Sequence, residues 1–460
     1  MNINHKLTCE ERLSAALKNT AGPIPRRDDL IKILSAALQA ADPQAAVINN
    51  LCMIGNDFYA GAFIFQLVQN ARIETVALGK AAPAMLTGTI QQLGNFYDQG
   101  LCVCKHFVPT DHQNPGTRYI IGNHPVPGAG SLQAGEALKN FISGLCQDDF
   151  VLLLVSGGGS ALITLPATGV TLEEMQQVTI TLLRAGATIH EMNTVRKHLD
   201  LIKGGGLVRL ASPARVVALV LSDVVGNNLE VIASGPAYPD PSTYADALRI
   251  IERASKFGVI PDRVRHHLEA GCAGKVPETL KSDEPDALRC FNSIIASNVD
   301  ASAAAVTQAG ALGFLAETVS NELTGEARTA GARIASLVNA RPDLRRPFML
   351  VWGGETTVTV SGKGKGGRNQ ELALGAVRGL AGIPNTLLIT LATDGEDGPT
   401  DAAGAVVTGD TLNRATSMGL VPEDYLLNND AYAFFERLRD LLHTGPTGTN
   451  VNDLTFVFGF

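Results

Sequence analysis

Val151-Leu-Leu-Leu-Val-Ser156-Gly-Gly-Gly-Ser160-Ala-Leu162 runs an unbroken apolar stretch straight into three glycines flanked by serines. An apolar run this short, closed by glycine, predicts a strand buried on both faces, as in a parallel sheet. The turn that follows would array backbone N–H groups around an anion at a helix N-terminus. The plainer alternative is a tight turn that needs glycine for positive φ. The pattern is not G-x-G-x-x-G, because Leu162 stands where the last glycine belongs, and it is not G-x-S-x-G.

The same arrangement recurs along the chain. Ile73–Leu78, Arg215–Leu221, Ser293–Ala296, Phe348–Trp352 and Thr386–Leu391 read as strands, each running into a glycine-rich or polar loop. Helical windows lie between them. One spans Thr171–Ala185, with Thr171 and Glu174 as a capping box and Leu172, Met175, Val178, Leu182 and Leu183 on one face. Strands alternating with helices predict an α/β fold with mainly parallel sheets.

The 460 residues suggest two or three domains at about 150 residues each. An apolar content of 45% excludes disorder, and no apolar run approaches the ~20 residues of a membrane span. Against 45 acidic residues there are 37 basic ones, for a net charge of −8, which argues against a nucleic-acid surface. Seven scattered cysteines, with no C-x-x-C and no H-E-x-x-H, read as free thiols in a reducing compartment. The N-terminus, with Lys6, Glu10, Glu11, Arg12 and Lys18, lacks the apolar core of a secretory signal, so a cytoplasmic protein is expected. A polar stretch near 270–287 marks a domain boundary, with Arg341-Pro-Asp-Leu-Arg-Arg-Pro347 as the alternative. The resulting division is an N-terminal extension at 1–23, a first domain at 24–285 and a second at 286–460.

In open α/β sheets ligands bind at the carboxyl ends of strands, so those loops are where the chemistry is expected. Lys80 follows the first strong strand and is either a fixed cation for a phosphate or carboxylate, or merely solvated. Asn193, Arg196 and Lys203 precede Gly204-Gly-Gly206, and anion binding is balanced there by a solvated helix face with a glycine cap. Asp223 at the end of a strand could hold a metal, orient a hydroxyl or cap the next helix. Gly353-Gly354-Glu355 through Lys363, Lys365, Gly366, Gly367, Arg368, Asn369 and Gln370 has the layout of a phosphate cradle, yet Arg368-Asn369 stands where a Walker A loop needs Lys-Ser/Thr. Asp394, Glu396, Asp397 and Asp401 cluster after the strand at Leu387–Leu391, and such clustering suggests Mg²⁺ unless Asp-Gly turns explain it. Basic glycine loops and strand-end carboxylates without a nucleophile–base dyad fit phosphoryl transfer to a small anionic ligand.

Taken in order, these loops resemble the glycerate 2-kinase family, whose C-terminal part is the MOFRL domain. The resemblance is carried by Gly79-Lys-Ala-Ala, Gly122-Asn-His-Pro-Val-Pro, Ser156-Gly-Gly-Gly-Ser-Ala, Asn193-Thr-Val-Arg-Lys-His-Leu and Ser222-Asp-Val-Val-Gly. It continues through Ile232-Ala-Ser-Gly-Pro-Ala-Tyr-Pro-Asp-Pro, Gly353-Gly-Glu-Thr-Thr-Val, Gly366-Gly-Arg-Asn-Gln-Glu, Thr393-Asp-Gly-Glu-Asp-Gly-Pro-Thr-Asp and Gly445-Pro-Thr-Gly-Thr-Asn. It implies two Rossmann-like α/β domains with the site in the cleft between them, and ATP- and Mg²⁺-dependent phosphorylation of D-glycerate to 2-phosphoglycerate. By the same resemblance Lys80, Arg368 and Asp223 would be catalytic. Ser156, Gly157, Gly158, Gly159, Ser160, Asn193, Arg196 and Lys203 would hold substrate or phosphate. Gly353, Gly354, Glu355, Lys365, Gly366, Gly367, Asn369 and Asn298 would hold nucleotide, and Asp223, Asp394 and Asp397 a metal. The expected partners are glycerate and a nucleotide, not nucleic acid or membrane, with a homodimer as the assembly. Two positions depart from the family pattern: Asn227-Asn228 where it often reads Asp-Asp, and Gly128 where it usually carries Asp-Glu. The alternatives are an NAD(P)H-dependent hydroxypyruvate reductase, for which no G-x-G-x-x-G is present, and a non-catalytic sugar-acid sensor.

Overall fold

Phe150–Val155 is buried at every position, as its unbroken apolar sequence demands. In the computed structural model, which describes residues 8–22, 24–106, 108–109, 113–341 and 344–460, it is the middle of a six-stranded sheet. Lys6 and the Pro342-Asp343 part of the alternative boundary lie outside the described residues. The chain divides into two units, residues 43–295 and residues up to Asp42 joined with Ala296–Phe460.

The unit at 43–295 opens with a small antiparallel sheet of β1 (Leu51–Ile54), β2 (Asp57–Ala60) and β3 (Phe63–Gln66). Its large sheet comprises β4 (Ile73–Leu78), β5 (Gly100–Cys104), β6 (Thr117–Ile121), β7 (Phe150–Val155), β8 (Arg215–Leu221) and β9 (Cys290–Ala296). The order is β6-β5-β4-β7-β8-β9, with β4 to β8 parallel to their neighbours in that run and β6 parallel to β5. Strand order therefore reverses between β4 and β7, the point where such sheets open a crevice at their carboxyl ends. Val76, Leu78, Val151, Leu153, Val216 and Ala218 meet in its core, each Val or Leu contributing about 1.5–3 kcal/mol of burial. Phe58 and Phe65 pack edge-on against Phe150 and tie the small sheet to the large one. A second core, around Met175, Val178, Leu182, Val195 and Ile251, joins the helices Leu172–Arg184, Ile189–His198 and Tyr244–Ala254. Thr171 and Glu174 form the expected capping box.

The other unit carries β10 (Leu315–Leu323), β11 (Phe348–Gly354), β12 (Thr386–Ala392), β13 (Gly404–Thr408), β14 (Leu441–Leu442) and β15 (Asp453–Gly459). Their order is β10-β11-β15-β12-β13-β14. The α/β expectation holds for both units, but this sheet is mixed. Beyond the parallel pair β10–β11, β15 runs antiparallel between β11 and β12, with Thr455 opposite both Trp352 and Thr390. Composition does not reveal strand direction, so this return was invisible in the sequence.

The boundaries also differ from the sequence reading. The segment 270–287 belongs with the first sheet, because Arg209 pairs with Glu284 and donates to the Thr279 carbonyl, while Lys281 donates to the Asp240 carbonyl. The helices Cys9–Lys18 and Arg27–Ala40 belong to the C-terminal unit. Arg27–Ala40 buries Leu30, Ile33, Leu34 and Ala37 and packs against helix Asn298–Ala311. Arg26 lies over the Phe314 ring at 4.3 Å and donates to the Leu312 carbonyl. Among the described residues no helix is long and apolar enough to cross a membrane.

Candidate functional site

The loops after β4 and β7 are stitched together at the reversal point. Lys80 N donates to the Gly157 carbonyl at 2.9 Å, and Ala81 N donates to Ser156 Oγ at 3.1 Å. Ser156 is buried and its hydroxyl joins the two loops, so within the fold it already holds the turn in place. Gly79, at φ +129°, faces Ser156 so closely that any side chain would strike that residue's backbone. Gly158 adopts φ +82°, with His124 and the Lys80 stem on either side. Gly157 lies beneath the Asp223 carboxylate, which fills the space a Cβ would need. The glycine run is thus explained by close approach as well as by backbone conformation.

Lys80 is exposed and makes no ion pair among the described residues. Its charge reaches His124, whose pKa is lowered by burial first and by Lys80 second. Lys203 is different. It is buried, with Nζ 2.5 Å from Asp200 Oδ2 and 3.1 Å from the Ile163 carbonyl, and Thr164 donates to the same carboxylate. Its charge is balanced inside the fold by Asp200. Asn193 Oδ1 accepts from Ser234 Oγ at 3.2 Å, and Ser234 lies 2.8 Å from Ser160 Oγ, so these three form one polar chain. Ser234 escaped the sequence reading because its Ile232–Ser234 turn lies far along the chain. The Arg196 side chain is half-buried with no hydrogen bond or ion pair among the described residues, and burial lowers its pKa. The two departures from the family pattern have local explanations. Asn227 takes a left-handed conformation (φ 55°) that asparagine tolerates, and Asn228 accepts from Glu230 N. Gly128 precedes helix Ala129–Phe141, where a side chain would crowd Asn123.

In the C-terminal unit the centre is Arg368, first residue of helix Arg368–Leu380. Nε lies 2.5 Å from Asp453 Oδ2, Nη2 lies 3.3 Å from Asp453 Oδ1, and Nη1 pairs with Glu355. Glu355 Oε2 also accepts from Asn452 at 2.9 Å. Burial raises the pKa of Asp453, while its two acidic neighbours hold the guanidinium firmly charged. Nothing in the residues around Asp453 marks it for this role, and it enters only because β15 inserts beside β11. Gly353 lies against the Asn298 side chain, whose Nδ2 donates to the Val451 and Asp453 carbonyls while its buried Oδ1 has no hydrogen-bond partner in the structure. Lys365 Nζ stands 4.1 Å over the Tyr432 ring, and its backbone N–H donates to Asp430. Gly366 and Gly367 lead into the helix, and Gly367 is pressed against Asp397.

The aspartate cluster resolves differently from its reading as a metal holder. Asp397 accepts from the backbone N–H groups of Asn369 at 3.1 Å and Gln370 at 2.8 Å, so it caps the helix that begins at Arg368. Burial, reinforced by Asp453, pushes its pKa up to about 7. Asp394 accepts from Glu396 N within its own turn. Among the described residues no three His, Cys, Asp or Glu side chains converge as a metal site.

Two families match: residues 29–269 the family described as "Domain of unknown function (DUF4147)", and residues 348–453 the MOFRL family. A protein named glycerate 2-kinase from Pyrococcus horikoshii is 40% identical over 429 residues, covering 92% of this chain and 95% of that protein. A D-glycerate 2-kinase from Thermotoga maritima is 41% identical over 429 residues, covering 92% and 96%. An Agrobacterium vitis protein that bears a hydroxypyruvate reductase name only provisionally is 37% identical over 444 residues, covering 95% of each. The crystal structure of a glycerate kinase from Thermotoga maritima matches with a TM-score of 0.83 at 38% identity, over 94% of this chain and 99% of that one.

Proposed function

The chain belongs to the glycerate 2-kinase family, and from that premise we propose that it transfers a phosphoryl group from ATP to the 2-hydroxyl of D-glycerate, yielding 2-phosphoglycerate. Catalysis in this class is chiefly positioning and charge neutralisation, and the residues suit that demand. The observation that carries the reading is Lys80, an ammonium with no carboxylate partner among the described residues, at the mouth of the Gly157–Gly159 turn. We assign Lys80 to the oxygens of the transferring group and the backbone of Gly157, Gly158 and Gly159 to cradling them. Asp223, lying over Gly157, is placed to accept the hydroxyl proton. Arg196 takes the glycerate carboxylate, and Ser160 with Asn193 orients the hydroxyls.

In the C-terminal unit, Gly353, Gly354, Asn298 and the Lys365–Asn369 segment are assigned to the nucleotide. Arg368 comes already paired, so it would offer fixed N–H donors rather than an unbalanced charge. Mg²⁺ fits as an ion that arrives with the nucleotide, because no three-carboxylate cage exists among the described residues and magnesium usually keeps waters beside one or two carboxylates. Asp223, over the Gly157–Gly159 turn, is the carboxylate that would meet it, and the ion would neutralise phosphate charge. No feature favours the reductase: the loop after β4 reads Gly79-Lys-Ala-Ala, without the glycine pattern of a dinucleotide site.

The test is ATP consumption with D-glycerate and Mg²⁺, the product identified by phosphorus NMR. A 2-phosphoglycerate signal is expected. A 3-phosphoglycerate signal would overturn the regiochemistry, and NADH oxidation on hydroxypyruvate without kinase turnover would overturn the reaction class.

A further inference from the structure

Arg196 opens onto a cavity of about 190 Å³, more than ten times the ~10–15 Å³ needed to hold one water. His124, Gly158 and Ser160, beside the glycine turn, line part of it. Leu172, Met175, Val178 and Leu182 from one helix and Val195 and Leu199 from the next helix and its end supply an apolar lining, with Thr164, Gln176 and Thr179 among them. The other cation on the wall, Lys203, is neutralised by Asp200. One guanidinium without a side-chain partner among the described residues therefore faces a cavity whose lining is largely apolar.

A desolvated cation with no counter-charge is costly, and an arginine fork matches a carboxylate in two-point geometry. D-glycerate supplies the carboxylate but almost no hydrocarbon, having one CH and one CH₂ group, both bearing oxygen. The apolar walls would gain nothing from it. We infer that the cavity binds monocarboxylates with a branched aliphatic body, the carboxylate on Arg196 and the body against Leu172, Met175, Val178 and Leu182, in competition with glycerate. This deepens the proposed function and rests on its placement of the glycerate carboxylate at Arg196.

The test uses 4-methylpentanoate and acetate as probes on the full chain, with calorimetry for binding and steady-state kinetics for competition. The branched acid should bind at least roughly tenfold more tightly than acetate, since several buried CH₂ equivalents separate them. It should raise the KM for D-glycerate without lowering kcat, and Arg196→Met should weaken its binding by roughly tenfold or more. Thr179→Phe and the milder Val178→Met narrow the chamber from positions with no assigned role in turnover. Either should weaken the branched acid by several-fold and leave the KM for glycerate within about twofold. Equal affinity for the two acids, inhibition that does not compete with glycerate, or unchanged binding in both narrowing variants would overturn the inference. Phosphorus NMR reads the kinase reaction separately. A wild-type enzyme that makes 2-phosphoglycerate yet ignores the branched acid sinks the cavity alone, and one that binds the acid without making phosphoglycerate sinks the kinase reading alone.

Discussion

Asp453 holds Arg368 from the side, its two carboxylate oxygens meeting Nε at 2.5 Å and Nη2 at 3.3 Å. The aspartate is the first residue of β15 and the arginine the first of the helix Arg368–Leu380, so one ion pair fixes the junction of strand and helix. Nη1 is left to Glu355, and the guanidinium cannot swing without breaking both contacts.

Arg368→Ala should lower kcat by on the order of a hundredfold or more if its N–H groups meet charge in the transition state. Lysine should not restore it, because a point charge cannot hold both carboxylates in the same geometry. Asp453→Asn should lower kcat by on the order of a hundredfold with little change in the KM for glycerate, since misplacing the arginine is what it does. Steady-state kinetics of the three variants check this, and a KM effect alone would remove Asp453 as a positioning residue.

The family resemblance makes Lys80 a catalytic cation and Lys203 a substrate or phosphate contact, and the two lysines have opposite surroundings in the structure. Lys80→Ala should abolish most turnover yet leave the melting temperature unchanged, because the side chain is exposed and makes no ion pair among the described residues. Lys203→Met should instead destabilise the fold by about 3–5 kcal/mol, leaving Asp200 buried without its partner. Urea denaturation beside activity assays separates the two. A stable Lys203→Met protein with impaired glycerate KM would return Lys203 to the ligand.

Gly157→Ala should displace the Asp223 carboxylate that fills its Cβ position. A loss of kcat of about tenfold or more, with the melting temperature lowered only modestly, is expected from misplacing one catalytic group. Wild-type kinetics in that variant would show that Asp223 has no catalytic work.

Asp397 makes stability depend on pH. Its carboxyl titrates at about 7 in the fold, against ~3.9 in an unfolded chain. Between those values the native state holds a proton the unfolded state has lost, so stability is fully present below about pH 4 and falls as pH rises through 7. Asp397→Asn should flatten that slope while keeping part of the cap. Urea midpoints from pH 4.5 to 8 test it, and an unchanged slope would show that the aspartate is ionised throughout.

Much of the 43–295 unit was legible in the sequence because β4, β7 and β8 are buried on both faces along nearly their whole length. Ile73–Leu78 and Arg215–Leu221 end where the apolar runs end, and Thr171 with Glu174 announced its helix. The glycine turns were legible too, since only backbone crowding or positive φ makes three glycines in succession useful. What stayed hidden depends on partners distant along the chain. Nothing in Arg27–Ala40 says that its apolar face will meet Asn298–Ala311, and nothing near Asp453 says that β15 will pass Arg368. Asp200 three residues before Lys203 was a usable signal for an internal ion pair, outweighed by the glycine run that follows. Asp397 looked like a metal ligand because the backbone N–H groups it satisfies belong to residues 369 and 370.

The placement of β15 also governs when the protein can fold during its own synthesis. The central strand of the C-terminal sheet is residues 453–459, so β11 and β12 have no shared neighbour until translation reaches them. The helix Arg27–Ala40 leaves the ribosome long before its partner helix Asn298–Ala311, and at ~5–20 residues per second its apolar face waits on the order of tens of seconds for it. The 43–295 unit is contiguous and can fold in the interval. A nascent chain stalled between residues 295 and 298 would therefore present one finished unit and one unsatisfied amphipathic helix, which is the form a holding chaperone would recognise, and one stalled short of residue 453 would still lack the strand that joins β11 to β12.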